Sequence, residues 1–488
     1  MGRTSTLRRV GELRHGVLAL GDAIAQSIAV LALTLGVAFG SSGAAAAAGT
    51  SVPLAYVIAG AGSLCLASVI IRFSRRMASA GALYSYVARG LNPPAGFLGG
   101  WLYAGAFAVG VSFVIVISSF FLSIAMTKHT AVDVSWYTWF FPLLALAVVL
   151  ALLDVRISTR VQLGLALAGV LAVLVMAVAI VFDGGDSGLT LEPLDPTALP
   201  SGSHLFQAVV LGFTGFIGFE AAAALGEEVK APLRAIPRAI LTAVLVALGF
   251  YVFVTWAMAV GFGAGNGAAW ASDPAALDSL ATRYVGDWLA VVIDFAVAAS
   301  GFVGALGALN LTSRTAFAMA RDRALPGILA WTHPRWHTPW SSILAIGLLT
   351  LVLVIVVAKH YGPITYFVLV ATTATLAVLA TYILVAVAGA VFFARSSAGD
   401  RTPFDLALDV AAPALAIAIC GYTMYKSVVP RPPDPVDWAP YLAGGWLLLG
   451  LLSALLLRRR DPARLEAFGG SIVAAEPAPS GRADSRRP

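Results

Sequence analysis

The chain has 488 residues, of which 59% are hydrophobic and only 11% charged, with a formal net charge of +6. Soluble domains carry about a quarter charged residues, and a soluble chain this long splits into several domains that each need a polar surface. The composition cannot supply that surface, so it excludes an ordinary soluble protein and makes the bilayer the first candidate solvent.

A helix needs about 20 mostly apolar residues to cross the hydrocarbon core. In chain order, twelve runs meet or approach that length: 20–47, 53–71, 96–126, 138–153, 157–182, 205–226, 238–263, 285–313, 340–358, 363–394, 405–429 and 438–457. They are called spans 1 to 12 below. The fourth is short, the third and tenth long. The first 16 residues carry Arg3, Arg8, Arg9 and Arg14 and precede a run long enough to span, so no cleavable signal peptide is expected. The tail from 465 onward is small, polar and Pro-containing, and is expected to be disordered.

Charge tests the count. With an even number of spans both termini share one side, and that side holds 26 of the 31 Lys and Arg residues. The other side holds Lys128, Arg283, Lys359, Lys426 and Arg431, together with the acidic loop 183–204. The positive-inside rule makes the basic side cytoplasmic, in a plasma membrane. The net positive charge thus follows from topology and needs no nucleic acid or other anionic partner.

Two spans are unusual. Span 1 contains Thr34, Leu35, Gly36, Val37 and Gly40, and span 6 contains Phe213, Thr214, Gly215, Phe216, Gly218, Phe219 and Glu220. Closely spaced glycines each lower helix propensity by about 1 kcal/mol, and interrupted spans at matching positions of two halves point to a transporter site. Gly36/Gly40 and Gly96/Gly100 also fit close helix packing. Five spans separate one break from the next, an odd number, so a five-span repeat must be inverted: 17–182 and 205–394. Residues 1–16 precede it, spans 11 and 12 (405–457) are extra, and 465–488 is the tail. Glu220 and Asp294 are acidic residues at membrane depth, which is costly without a role. Glu220 reads either as a cap on the second half-helix or as a substrate or proton ligand; Asp294 lies near the interface.

No nucleotide-binding sequence is present, so a transporter here is a secondary one. Cys65 and Cys420 lie in apolar runs and read as buried hydrophobes. Nothing in the pattern calls for a cofactor or a metal, and no catalytic constellation marks an enzyme.

Three stretches carry a family likeness. They are Arg75 to Leu91 with Gly96-Phe97-Leu98 and Gly100-Trp101; Phe216 to Glu220 with Gly226-Glu227-Glu228-Val229-Lys230 and Pro232; and Leu309 to Arg314 with Ala320-Arg321-Asp322 and Leu325-Pro326. With the span count, about residues 15–430 resemble the amino acid–polyamine–organocation superfamily of permeases. The resemblance implies the inverted-repeat fold of the leucine-transporter type, all-α, with spans 1 and 6 unwound around a central site. It implies transport of amino acids by alternating access, proton-coupled or exchanging, with a polyamine or other organic amine as the alternative substrate and a channel as a distant one. Three departures stand out. Span 1 lacks a glycine and the aromatic of the family pattern. The aromatic gate before the span 6 glycines falls at Thr214, leaving Phe213, Phe216 or Phe219 to gate. Span 5 has no lysine, so the coupling ion, proton or sodium, is open; Ser300 and Asp294 are the candidates for ion coupling.

The topology has a direct test. Cysteine probes at Gly188 and at Ser480 should react from opposite sides of the membrane; labelling from the same side rejects the twelve-span arrangement.

Overall fold

The computed structural model describes residues 12–130, 132–199, 204–263, 265–396, 407–461 and 474–475. Most of residues 1–16 and of the 465–488 tail therefore lie outside the described residues, so neither expectation about them is addressed.

Every expected span coincides with helix. Span 1 is two helices, Leu20–Leu31 and Leu33–Ala48. Spans 2 to 5 are Val52–Ser74, Pro93–Thr130, Trp136–Leu152 and Val155–Asp183. Span 6 starts as Leu205–Thr214 and ends in the 3-10 helix Ala221–Leu225. Spans 7 and 8 are Pro232–Phe262 and Asp287–Arg321. Span 9 runs from Trp340–Leu353 through a π-helical turn to Lys359–Tyr361. Spans 10 to 12 are Pro363–Ser396, Ala412–Lys426 and Ala439–Arg460. Among the described residues eight continuous stretches are long and apolar enough to cross a bilayer, and the first, Leu20–Ser74, contains spans 1 and 2 together. The chain is a multi-pass, all-α membrane protein; among the described residues the only paired strands are the two-residue pieces Met77–Ala78 and Ala474–Ala475.

The bundle centres on span 3, which packs along spans 8 and 10, while span 2 packs along span 7 and span 1 touches spans 5, 7 and 8. In hydrocarbon no hydrophobic force drives helices together, so small residues that permit close approach decide where they meet. A Cβ on Gly96 would lie 2.7 Å from the backbone of Ala88, which sits in the connecting helix Leu83–Gly90. The glycines of the first likeness stretch thus let that helix seat on span 3.

Span 12 is fixed to span 3 by one reciprocal pair. The Trp101 and Trp446 rings stack with centroids 4.3 Å apart. Trp101 Nε1 donates to the Trp446 carbonyl at 3.0 Å and Trp446 Nε1 to the Trp101 carbonyl at 3.1 Å. Gly105 and Gly450 leave the room: a Cβ on either would come within 2.6 Å of the facing indole. Trp446→Ala should therefore cost about 3–5 kcal/mol, seen as a lower thermal midpoint in detergent, whereas Leu449→Ala, on an exposed face of the same helix, should leave the midpoint in place.

Candidate functional site

The interruption of span 1 is a single residue. Ala32 has φ +45° and ψ +52°, in the left-handed region. An L-residue pays roughly 1–2 kcal/mol there. Because a new helix starts at Leu33, its first N–H groups have no helical partner. The N–H of Leu35 is taken by Ser300 Oγ of span 8 at 3.2 Å. Helical bonding resumes at Gly36, whose N–H donates to the Ala32 carbonyl at 2.8 Å. The expected interruption over 34–37 is thus corrected to a break at Ala32 that ends within one turn. The glycines beyond it have the packing role: a Cβ on Gly36 would lie 2.6 Å from the Tyr251 hydroxyl, and one on Gly40 3.3 Å from that of Tyr56.

Span 6 breaks where its glycines are. After Thr214 the chain runs through successive turns to the 3-10 helix Ala221–Leu225, so a second α-helical half of span 6, with a free N-terminus of its own, does not form. Gly218 has φ +104°, and a Cβ there would lie 2.3 Å from Val30 Cγ1. Gly215 has ordinary right-handed angles, so its conformation does not demand glycine. The two breaks face each other: Gly218 meets Val30, and the N–H of Ala222 donates to Ser27 Oγ at 3.0 Å. Tyr251 Oη of span 7 donates to the Gly215 carbonyl at 3.0 Å, in the space that Gly36 leaves free.

A cavity of about 660 Å³ lies against both breaks and reaches the loop between spans 11 and 12 at Lys426 and Pro433. Of the residues singled out in the sequence, Leu35, Gly36, Gly40, Thr214 and Gly215 line it. Thr34 is turned to span 5, where a Cβ on Gly169 would lie 2.9 Å from its hydroxyl, and Val37 is buried. Phe213, Phe216 and Phe219 are core residues rather than gates: all three are buried, Phe216 packing on Tyr251 and Phe219 on Tyr382. Gly218 and Glu220 stand behind the wall. Glu220 accepts hydrogen bonds from Tyr103 Oη and Tyr382 Oη, each at 2.8 Å. Asp294 is at the far rim, bonded to His129 Nε2 at 2.8 Å and to Lys128 Nζ at 3.1 Å. The aromatic wall comes instead from Phe39, Phe107, Phe113 and Phe367, with the Phe367 ring 4.6 Å from Phe39 and 5.2 Å from Phe113 between centroids. Among the described residues no Asp or Glu lines the cavity.

Comparison with known proteins gives the family. A profile described as amino acid permease matches residues 26–452. The chain belongs to the amino acid permease family. An uncharacterized transporter of Mycobacterium tuberculosis is 33% identical over 70% of this chain and 72% of its own. The branched-chain amino acid permease BcaP of Bacillus subtilis is 27% identical over 72% of this chain and 75% of its own. The low-affinity putrescine importer PlaP of Escherichia coli is 27% identical over 62% of this chain and 66% of its own.

This permease is open at one end of the cavity and sealed at the other, basic end. There Arg314 and Glu228, both fully buried, pair through two hydrogen bonds, and Arg314 also bonds Asn310. The sequence put Arg314 just past span 8; the helix continues to Arg321, which holds Glu227 at 2.5 Å. The segment before span 1 closes over the same place: the N–H groups of Val17 and Leu18 donate to the Glu228 carbonyl, and that of Lys230 to the Leu18 carbonyl.

The backbone at the breaks sets the expected phenotypes. Ala32→Gly should retain transport, since glycine holds the left-handed angles without penalty, while Ala32→Val should lose it, a β-branched residue being an outlier there. Gly218→Ala should cost about 1–3 kcal/mol from the positive φ and at least tenfold in uptake. Gly215→Ala should be milder in stability. Uptake into proteoliposomes and thermal unfolding of the purified variants check all four.

Proposed function

We propose that the permease carries α-amino acids with apolar side chains, by alternating access, into the cytoplasm. The observation that carries this reading is the pairing of helix ends at the cavity. The second helix of span 1 presents its N-terminus there, and the helix Leu205–Thr214 of span 6 its C-terminus. A helix N-terminus carries partial positive charge and N–H donors without helical partners. A C-terminus carries partial negative charge; the carbonyls of Leu211 to Thr214 each take a turn or loop hydrogen bond and keep a second lone pair for a ligand. An α-carboxylate suits the first and an α-ammonium the second. Around them the walls are Phe39, Phe107, Phe367, Ile217 and Val378, which suit an aliphatic side chain.

The branched-chain substrate in the name of one relative agrees with that lining. The putrescine importer raises the alternative of a diamine, which needs anionic partners at both ends. The absence of carboxylates among the described lining residues weighs against it. The basic, sealed end is cytoplasmic on this reading, and 17–182 and 205–394 are the two inverted halves, with spans 11 and 12 added. Energy comes from a proton gradient or from exchange.

Leucine, isoleucine and valine should each raise the thermal midpoint of the purified protein, and putrescine should not; a shift with putrescine alone rejects the reading. Phe39→Ala should weaken leucine binding about tenfold, equivalent to about 1.4 kcal/mol, and should admit bulkier aromatic amino acids as competitors of leucine uptake.

A further inference from the structure

Glu220, like Asp322, which accepts from Tyr84 Oη at 3.1 Å, has a phenol as partner, but it differs from three other buried acids described. Glu227, Glu228 and Asp409 each hold an arginine: Arg321, Arg314 and Arg72. Glu220 is 0% exposed, and no Lys, Arg or His is bonded to it among the described residues. Among the described residues its side-chain partners are two phenols, Tyr103 Oη on one carboxyl oxygen and Tyr382 Oη on the other, both from tyrosines that are 0% exposed. The other titratable side chains close by are Tyr86, near Tyr103, and Cys420, near Tyr382, and neither is a cation.

A permanent charge at this depth without a counter-ion is costly, and such groups in spans serve relays or bind ligands. An ionised carboxylate offers about four acceptor sites; the phenols fill two of them, and the backbone N–H groups of Gly218 and Glu220 also face the carboxylate. A neutral carboxyl fits the same frame, because a phenol both donates and accepts. One tyrosine keeps donating to the carbonyl oxygen, while the acid O–H donates to the oxygen of the other. The site therefore holds either protonation state with only hydrogens reoriented.

The placement adds a direction. Tyr103 lies one helical turn from Phe107 on span 3, Tyr382 one turn from Val378 on span 10, and Glu220 three residues after Ile217 in span 6. Phe107, Val378 and Ile217 all line the cavity. Span 3 runs away from the basic end, whereas spans 6 and 10 run towards it, so on each element the step from cavity wall to triad is a step towards the sealed end. The three residues form a floor directly beneath the cavity. Tyr382 Oη also lies 3.4 Å from the N–H of Gly218, so the floor is tied to the break itself.

We propose that Glu220 carries the coupling proton, with Tyr103 and Tyr382 as its positioning residues. In the state open to the outside, a movement of the wall at Ile217 admits a hydronium ion from the cavity, which gives a proton to the Glu220 carboxylate and leaves a water molecule. When the floor opens to the cytoplasm, the carboxyl gives that proton to water on the far side. No other bond is made or broken, and charge balances with one proton moved per cycle. The amino acid part of the cycle rests on the proposed function; the titration of Glu220 does not.

Two measurements separate these. Infrared difference spectra of the purified full-length protein between acid and alkaline pH should show a buried carboxyl band that is absent in Glu220→Gln and shifted in Tyr103→Phe and Tyr382→Phe. The same band in Glu220→Gln, or no such band in the wild type, overturns the assignment whatever the substrate. In proteoliposomes, wild-type leucine accumulation should rise with an imposed inward proton gradient. Glu220→Gln should accumulate leucine only to the level reached without a gradient, while still exchanging labelled for unlabelled leucine. Gradient-driven accumulation in the variant sinks the proposal, and so does loss of exchange in a variant with the wild-type thermal midpoint, which would mark Glu220 as structural. If the wild type neither binds nor exchanges leucine, the substrate reading falls, and the infrared band alone decides on Glu220.

Discussion

Every backbone hydrogen bond taken out of a helix at mid-membrane has to be replaced from inside the protein, because hydrocarbon offers none. Four side-chain hydroxyls meet that demand at the two breaks. Ser300 takes the N–H of Leu35, Ser27 takes that of Ala222, Tyr251 caps the carbonyl of Gly215 and Tyr382 faces the N–H of Gly218. They come from spans 8, 1, 7 and 10. The open backbone at the two breaks therefore exists only while those four spans stay in register. Packing, site geometry and the location of the cavity all follow from this one requirement.

The same requirement explains the layout of charge. Helix ends need no buried ions where hydroxyls suffice, and among the described residues no Asp or Glu lines the cavity beside the breaks. At the basic end the reverse holds: Arg314 and Glu228 are buried as a pair, with Asn310 on the guanidinium. A buried pair is costly to break, since each partner would be left unpaired. It stands beside an apolar cluster of Leu13, Ala80, Phe317 and Ala330 at the same end.

Much of the architecture was legible in the sequence. Hydropathy and the 26 to five division of basic residues give twelve spans, because bilayer thickness and charge asymmetry act on whole segments. The break in span 6 was legible because Gly218 sits at a positive φ that only glycine holds easily. The break in span 1 was misplaced because Ala32, within a run of apolar residues, carries no mark of its left-handed angles; those angles are enforced by neighbours distant in sequence. The side chains of the cavity were legible only in part. Phe39, Phe107 and Phe367 are apolar residues in apolar spans, so nothing in composition separates a wall from a core. Phe213, Phe216 and Phe219 sit beside the glycines yet point into packing, since which face of an unwound stretch meets the cavity depends on backbone angles rather than on period. Glu220 stood out as a charge at depth, but its two tyrosines lie over a hundred residues away.

The volume of the cavity has an osmotic consequence. At about 30 Å³ per molecule in the liquid, 660 Å³ has room for on the order of 20 waters. In the alternating-access cycle proposed above, a single amino acid would displace only a fraction of them, and closing the open end would expel the rest. That makes closure a dehydration step whose equilibrium depends on the activity of water. Solutes too large to enter the cavity draw the transporter towards its closed forms, and dilute media hold it open.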